Sequence, residues 1–169
     1  SWTDKDGIKH PSNWMIWSDE DKKGFGLTWE AEEDTSFDNR FYWSKGVERK
    51  LADTNEVDKD GKAIIDPQTG KQLVTLGLKS IWIGRTKETA NGMLSKTDWY
   101  VTRKAETGTA IPSDISKYRT DVRTATKTIE DKINNCTNVT EFMKLFDVPM
   151  DSDNKPTGNA PIYDFPDEV

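Results

Sequence analysis

The sequence predicts an α+β fold, in which a small aromatic-rich β unit at the N-terminus is followed by a helical hairpin and an extended acidic tail. Short apolar segments separated by turn residues occupy the first 72 positions, which is typical of short strands. After Pro112, apolar residues recur every three or four positions, which indicates a helix. Four of the seven prolines lie in the acidic stretch 147–169. We therefore divide the chain into 1–72, 73–146 and 147–169.

The N-terminal unit is rich in aromatic residues and interrupted by turns. "DKDG" and "HPSN" are turn signals, and "SDEDKKGFG" predicts a single helical turn capped by Ser18. "LTWEAE" and "RFYWS" predict short strands. Further along, "DKDGK" and "DPQTGK" flank the apolar "AII" and predict a β-hairpin or an ordered loop. We predict that Trp14, Trp17 and Trp43 anchor the core or an interface, because large aromatic side chains dominate the energetics of both.

The region after residue 72 is predicted to be helical. A first helix spans about 73–94, and a third, short helix spans about 139–146 and begins with a capping pair formed by Asn138 and Glu141. After the first helix, residues 95–112 show no clear periodicity of apolar residues and predict a long connector. Trp99 lies in this connector, and we expect it to pin the loop between two helices.

The second helix is predicted over 113–136 and has the clearest pattern in the chain. Its apolar residues, Tyr118 among them, form a narrow stripe with heptad-like spacing. The stripe predicts packing on helix 73–94 or, as the alternative, self-association through helix 113–136. Arg119, Arg123 and Lys127 form a basic row beside the stripe, which predicts a solvated face or a surface for an acidic partner.

The tail, 147–169, is rich in proline and acidic residues, which favours an extended conformation over a helix. We predict that Tyr163 and Phe165 attach this segment to a neighbouring protein, because aromatic side chains are common interface anchors.

Composition excludes several classes of function. The net charge of −6 is opposite to that of proteins that bind a phosphate backbone, so we predict no nucleic-acid partner. No apolar run approaches the roughly 20 residues that span a bilayer, so we predict no membrane interaction. One cysteine and one histidine leave little for a triad or a zinc site, and phosphate-loop and Gly-x-Ser-x-Gly motifs do not occur.

One stretch partly matches the pattern of a calcium-binding loop. "EVDKDGKAIIDP" places acidic residues at the first, third and fifth positions of a calcium-loop pattern, but Pro67 falls at position 12, where a glutamate is needed. The stretch therefore predicts an Asp-rich turn. From all these observations we predict a protein that is not an enzyme and has no catalytic residues, no cofactor and no metal.

Two stretches resemble parts of known proteins. "DKDGIKHPSNWMIWSDEDKKGFGLTW" resembles the opening of bacteriophage tail fibre assembly and tail assembly chaperone proteins, and "LSKTDWYVTRKAETGTAIPSDISKYRTDVR" resembles their C-terminal part. The first match rests on Gly7, Pro11, Asn13, Trp14, Ser18, Glu20, Gly26 and Leu27. The second rests on Asp98, Trp99, Arg103, Glu106, Ile111, Pro112, Tyr118, Arg119 and Arg123.

The resemblance implies a protein associated with a phage tail or tail fibre. It would bind tail or fibre subunits, either as an assembly chaperone or as a permanent virion component, and would be found in the virion, in the host cytoplasm during assembly, or in both. The segment 44–72 and the Pro-rich tail depart from the pattern and allow a permanent role. The residues predicted to bind partners are Trp14, Trp17, Trp43, Trp99, Tyr118, Arg119, Arg123, Tyr163 and Phe165.

A function of a different class is kept as an alternative. Tryptophan rings beside Asp and Asn can form a carbohydrate-binding platform, as in a receptor-recognition module of a phage tail. Such a platform predicts an exposed and roughly coplanar pair of rings, drawn from Trp14, Trp17, Trp29 and Trp43.

Overall fold

The computed structural model describes residues 1–4, 6–10, 12–27 and 34–169. The chain divides into two units, residues 1–36 and residues 37–169. Short antiparallel strand pairs and several helices make up the described part, so the predicted α+β class is confirmed. The observed division falls after residue 36, whereas the sequence placed it after residue 72. No helix in these ranges combines the length and the hydropathy needed to cross a membrane.

The first unit contains one strand pair and two short helical segments. Strand β1 (Trp2–Thr3) pairs antiparallel with β2 (Lys9–His10), a 3₁₀ turn covers Ser12–Ile16, and α1 spans Asp19–Gly24. The hydroxyl of Ser18 accepts a hydrogen bond from the Asp21 N–H, as the predicted cap requires. The strand predicted over "LTWEAE" falls almost entirely outside the described residues.

The second unit begins with two further strand pairs. Strand β3 (Tyr42–Ser44) pairs with β4 (Val47–Glu48), and β5 (Thr54–Asn55) pairs with β6 (Val74–Thr75), both antiparallel. Between β5 and β6, turns at Asp58 and Asp66 extend the second pair as an irregular hairpin. This confirms the hairpin predicted from the two turn signals in 44–72.

One Asp-based turn recurs along the chain. At Asp58, the carboxylate accepts hydrogen bonds from the N–H groups of Asp60 and Lys62, and Gly61 adopts a φ of +78°. The same scheme operates at Asp4 and at Asp151. The calcium-loop-like stretch is therefore built as a turn whose Asp58 carboxylate is committed to backbone N–H groups.

Helix α2 (Leu78–Ser95) starts five residues later than predicted, because residues 74–75 are part of a strand pair. Gly77 precedes the helix and donates its N–H to Oδ1 of Asp53 at 2.8 Å. The next two N–H groups, of Leu78 and Lys79, donate to carbonyls of the Lys50–Leu51 segment. The β region thus supplies the hydrogen-bond acceptors that the first turn of a helix cannot find within itself.

Helix α4 (Ser113–Asn135) packs along α2 within the same chain. Its stripe is buried as predicted, and Val122, Ile129 and Ile133 are 1% exposed or less. Trp82, Thr86 and Ala90 lie on the buried face of α2. Since the stripe is covered inside the chain, the proposed self-association through the apolar face of helix 113–136 is corrected to an intrachain contact.

Helix α5 (Val139–Lys144) closes the core. Asn138 Oδ1 accepts from the Glu141 N–H, and Glu141 accepts from the Thr137 N–H, so a capping pair forms as predicted, displaced by one residue from the standard box. Phe142 is fully buried and packs against Phe41, which lies just before β3. The β region and the helices therefore share one core.

The tail also belongs to that core. Ala160 and Ile162 are 5% and 2% exposed, and the Ile162 N–H donates to the Leu145 carbonyl at 2.9 Å. Residues 161–163 form a single 3₁₀ turn, with Pro161 in its first position. The tail is largely non-helical, as predicted, but it is folded onto its own chain.

Candidate partner-binding site

A helix occupies the segment that the sequence predicted to be a connector. Helix α3 spans Asp98–Thr107, and none of its residues is buried. It ends at Gly108, whose φ of +73° is the left-handed conformation typical of a residue that terminates a helix. A helix of this length gains little stability on its own in water, so its position depends on contacts at its ends.

The start of α3 is held by Arg119 of α4. The Arg119 guanidinium lies 2.9 Å from Oδ1 of Asp98, and it donates to the Leu94 carbonyl at 2.8 Å and to Thr97 Oγ1 at 2.6 Å. Arg119 is only 8% exposed, and Thr97 is buried beside it. A single guanidinium therefore ties the end of α2, the start of α3 and the body of α4 together.

The exposed surface of α3 carries aromatic residues and a cation. Trp99 is 52% exposed and its ring centroid lies 3.9 Å from that of Tyr100. The guanidinium of Arg103 lies 4.7 Å from the Trp99 centroid and 5.3 Å from that of Tyr100. We call Trp99, Tyr100 and Arg103 the α3 surface.

The α3 surface was only partly foreseen. Trp99 was predicted as a partner-binding residue and, together with Tyr100, was expected to pin a loop, whereas the structure places both on a helix. The signal was present: residues 98–107 contain no Gly or Pro, and Gly108 follows directly, as is common at a helix end. Apolar periodicity does not reveal α3, because a helix without a buried face has no apolar stripe.

The basic row on α4 does not form a free surface. Tyr118 is 4% exposed and packs with Ala90 and Val122, and Arg119 is buried in the contacts described above. These two predicted partner-binding residues are corrected to structural residues. Arg123 is exposed and donates to the Arg119 carbonyl at 3.1 Å, and Lys127 pairs with Asp131 at 3.0 Å.

The predicted tryptophan anchors lie in different units. Trp14 and Trp17 belong to unit 1–36. Trp14 is 36% exposed, and the ring centroid of Trp17 lies 5.1 Å from that of Phe25. Trp43 is 59% exposed, and one face of its ring is covered by Arg49 at 4.2 Å. Trp29 lies outside the described residues. The ring contacts of the described residues include no tryptophan pair of the kind that a carbohydrate platform predicts.

The aromatic residues of the tail point to their own chain. Tyr163 is 52% exposed and its ring lies edge-on to those of Trp82 and Phe146. Phe165 is half-buried and packs against both hydrophobic clusters of the unit. Both rings contact the core of this chain, and their attachment to a neighbouring protein stays a prediction.

Titratable groups in the described residues are arranged for structure. Hydrogen bonds from Gly77 and Ser80 lower the pKa of Asp53, and those from Thr137 lower the pKa of Glu141. The other carboxyl groups with a shifted pKa are lowered as well, which keeps them ionised at neutral pH. Within the described ranges, no group of three or more His, Cys, Asp and Glu residues could hold a metal ion.

Comparison of the chain with protein-family models, with curated proteins and with solved structures found no match.

Proposed function

We propose that this protein acts by binding other proteins during the assembly of a phage tail or tail fibre, and that the α3 surface is its contact site. The observation that carries the proposal is a ten-residue helix with no buried residue, held in place at its start by a buried arginine. Such a helix contributes little to the core of its own chain. Its exposed tryptophan and its half-buried tyrosine and arginine are the residue types that dominate binding energy in protein interfaces.

The sequence resemblance supports the same function. Asp98, Trp99, Arg103 and Arg119 carry part of the likeness to tail fibre assembly proteins, and they lie together at the start of α3. Asp98 and Arg119 position the helix, while Trp99 and Arg103 form its surface. A motif that combines support and display in this way is suited to recognition.

An assembly chaperone and a permanent virion component differ in whether the protein remains in the finished particle. Mass spectrometry of purified virions from a phage that encodes this chain, quantified against the major capsid protein, separates them. A fixed copy number per particle is expected for a virion component. Absence from particles, together with a complex with tail or fibre subunits in the infected cell, is expected for a chaperone.

The proposal would be overturned by absence from virions combined with failure to form a complex with tail or fibre subunits on co-expression. If a complex forms, Trp99→Ala tests whether the α3 surface is the contact site, since it removes the central side chain of that surface. A complex that survives this change at full affinity would assign the contact to another part of the chain.

A further inference from the structure

A second surface, which shares no residue with the α3 surface, combines aromatic rings with arginines. It is a cavity of about 390 Å³ in unit 37–169, between the β3–β4 hairpin and the first turns of α2. Leu78, Ile81 and Trp82 contribute apolar side chains from α2, and Trp43 contributes an aromatic ring from β3. The volume is at the lower end of the range for ligand pockets.

Three arginines line this cavity, and each lies over an aromatic ring. The guanidinium carbon of Arg49 is 4.2 Å from the Trp43 centroid, that of Arg85 is 4.5 Å from the Trp82 centroid, and that of Arg40 is 5.0 Å from Phe41. A guanidinium stacked on a ring keeps the N–H groups at its edge available as donors. The rings therefore hold the cations in place without using their hydrogen-bonding capacity.

The lining is unbalanced in charge. Among the described residues that line the cavity, there is no Asp or Glu. Arg40 forms a bidentate pair with Asp38 beside the cavity, with a shortest distance of 2.7 Å. Arg49 and Arg85 form no ion pair with any residue of the described ranges, and Arg49 makes only a 3.3 Å hydrogen bond to the Asn39 carbonyl. Within the described ranges, two guanidiniums are thus left without a carboxylate.

We propose that this cavity binds a short acidic peptide segment of a partner protein, in which a Glu or Asp side chain lies next to an apolar one. The carboxylate would accept hydrogen bonds from Arg49 and Arg85, with the geometry that Asp38 already adopts on Arg40. The apolar neighbour would contact Ile81 and the ring of Trp43. This site goes beyond the proposed function and does not depend on the partner being a phage protein.

Charge favours a short peptide over a polyanion. The chain has a net charge of −6 and a pI near 4.9, so a long polyanion such as nucleic acid would be repelled by the protein as a whole. A segment with one or two carboxylates meets mainly the local field of the three arginines. The apolar lining adds contacts that a free inorganic anion would not use.

Peptide binding to the full chain tests the proposal directly. The probes are Leu-Glu-Asp-Phe-amide, labelled on its N-terminal amine with an uncharged BODIPY dye, and the same labelled peptide with Gln and Asn in place of Glu and Asp, followed by fluorescence anisotropy at low salt. The acidic peptide is expected to bind with an affinity about tenfold or more above that of the neutral peptide, and to weaken as salt is added. Arg85→Gln is expected to weaken binding of the acidic peptide by about tenfold.

A matched control removes an arginine elsewhere. Arg123→Gln makes the same charge change at an exposed position of α4, outside the cavity, and is expected to leave peptide binding unchanged. If Arg85→Gln unfolds the chain, as a thermal melt would show, Arg49→Gln and the charge reversal Arg49→Glu replace it. The reversal is expected to bind a Lys-substituted peptide better than the acidic one.

Several results would overturn the proposal. Equal binding of the acidic and neutral peptides would leave the arginines without a role, and equal loss in Arg123→Gln would mean a nonspecific charge effect. Tighter binding of inorganic phosphate or a nucleotide, in competition with the peptide, would assign the site to a small anion. Dimerisation of the free chain that Arg85→Gln abolishes would assign it to a second copy, and no saturable peptide binding would remove the site altogether.

Discussion

The guanidinium of Arg119, which lies in the first half of α4, sits 2.9 Å from the carboxylate of Asp98 at the start of α3. The same side chain donates to the Leu94 carbonyl and to Thr97, so it closes the bend between α2 and α3. Asp98 is 59% exposed, and the ion pair itself therefore contributes little. The hydrogen bonds to buried groups matter more, because leaving such groups unpaired costs free energy.

Arg119→Met should lower the free energy of unfolding by about 1–3 kcal/mol, because it leaves the half-buried Leu94 carbonyl and the buried Thr97 hydroxyl with fewer partners. Urea denaturation followed by circular dichroism measures the change. Arg123→Met, four residues along the same helix but exposed, is the control and should change stability by about 0.5 kcal/mol or less. Equal effects of the two variants would contradict the bracing role.

Trp99→Ala distinguishes a partner-binding role of Trp99 from a structural one. The sequence predicts that Trp99 pins a loop between two helices, but the ring is 52% exposed on a helix with no buried residue. We now expect a loss of stability of about 1 kcal/mol or less, with a clear loss of partner binding. Thermal denaturation and co-purification with tail or fibre subunits measure the two effects. A large loss of stability would return Trp99 to a structural role.

Gly77→Ala tests the close approach of the β region to α2. A Cβ at this position would lie 2.4 Å from the Ala52 carbonyl carbon and from the Leu51 oxygen, both backbone atoms that cannot move independently. We expect a loss of about 1–3 kcal/mol in the free energy of unfolding.

The control for Gly77→Ala is a glycine within α2. At Gly84 an added Cβ meets no atom within 4 Å, so Gly84→Ala should stabilise the protein by about 0.5–1 kcal/mol through helix propensity. The open space around Gly84 leaves room for the added methyl group. Chemical denaturation of both variants should give changes of opposite sign.

Ile162→Ala tests whether the tail is part of the core. Ile162 is 2% exposed and packs in the main hydrophobic cluster, so we expect a loss of about 2–5 kcal/mol. Val169→Ala, at a side chain that is 67% exposed, should have almost no effect. Limited proteolysis provides a second readout, since Ile162→Ala should release the tail and expose it to cleavage.

Acid should weaken the junction between the β region and α2. The hydrogen bond from the Gly77 N–H, with a further one from Ser80, lowers the pKa of Asp53 in the folded state. A lowered folded pKa means that the stabilisation is complete above the unfolded value of about 3.9 and is lost as pH falls through the folded value. Asp53→Asn should therefore lower the melting temperature at pH 7, and the difference from the unaltered protein should shrink in acid.

The control for the pH effect is Asp60→Asn. The side chain of Asp60 is exposed and makes no hydrogen bond that the structure describes, so its replacement should leave the acid profile of the melting temperature unchanged. A pH dependence that is the same in the Asp53 and Asp60 variants would show that other groups control acid stability.

Local patterns predicted several elements well. The stripe of helix α4, the Ser18 cap of α1, the capping pair before α5 and the Asp58 turn all follow from residues within about four positions of each other. The start of α2 was predicted less well, because the strand pair that ends at Thr75 takes its partner from residues 54–55.

The sequence by itself determined the class of the fold, the buried face of α4 and the positions of the Asp-based turns along the chain, since each depends on short-range periodicity and hydrogen bonding. The tertiary structure decided the roles of Arg119, Ile162 and Trp99. Arg119 and Asp98 are 21 positions apart, and Ile162 meets Leu145 across a polar loop. Whether a side chain is buried, exposed or paired at such distances depends on how the helices pack, and that information resides in contacts between segments rather than in any one of them.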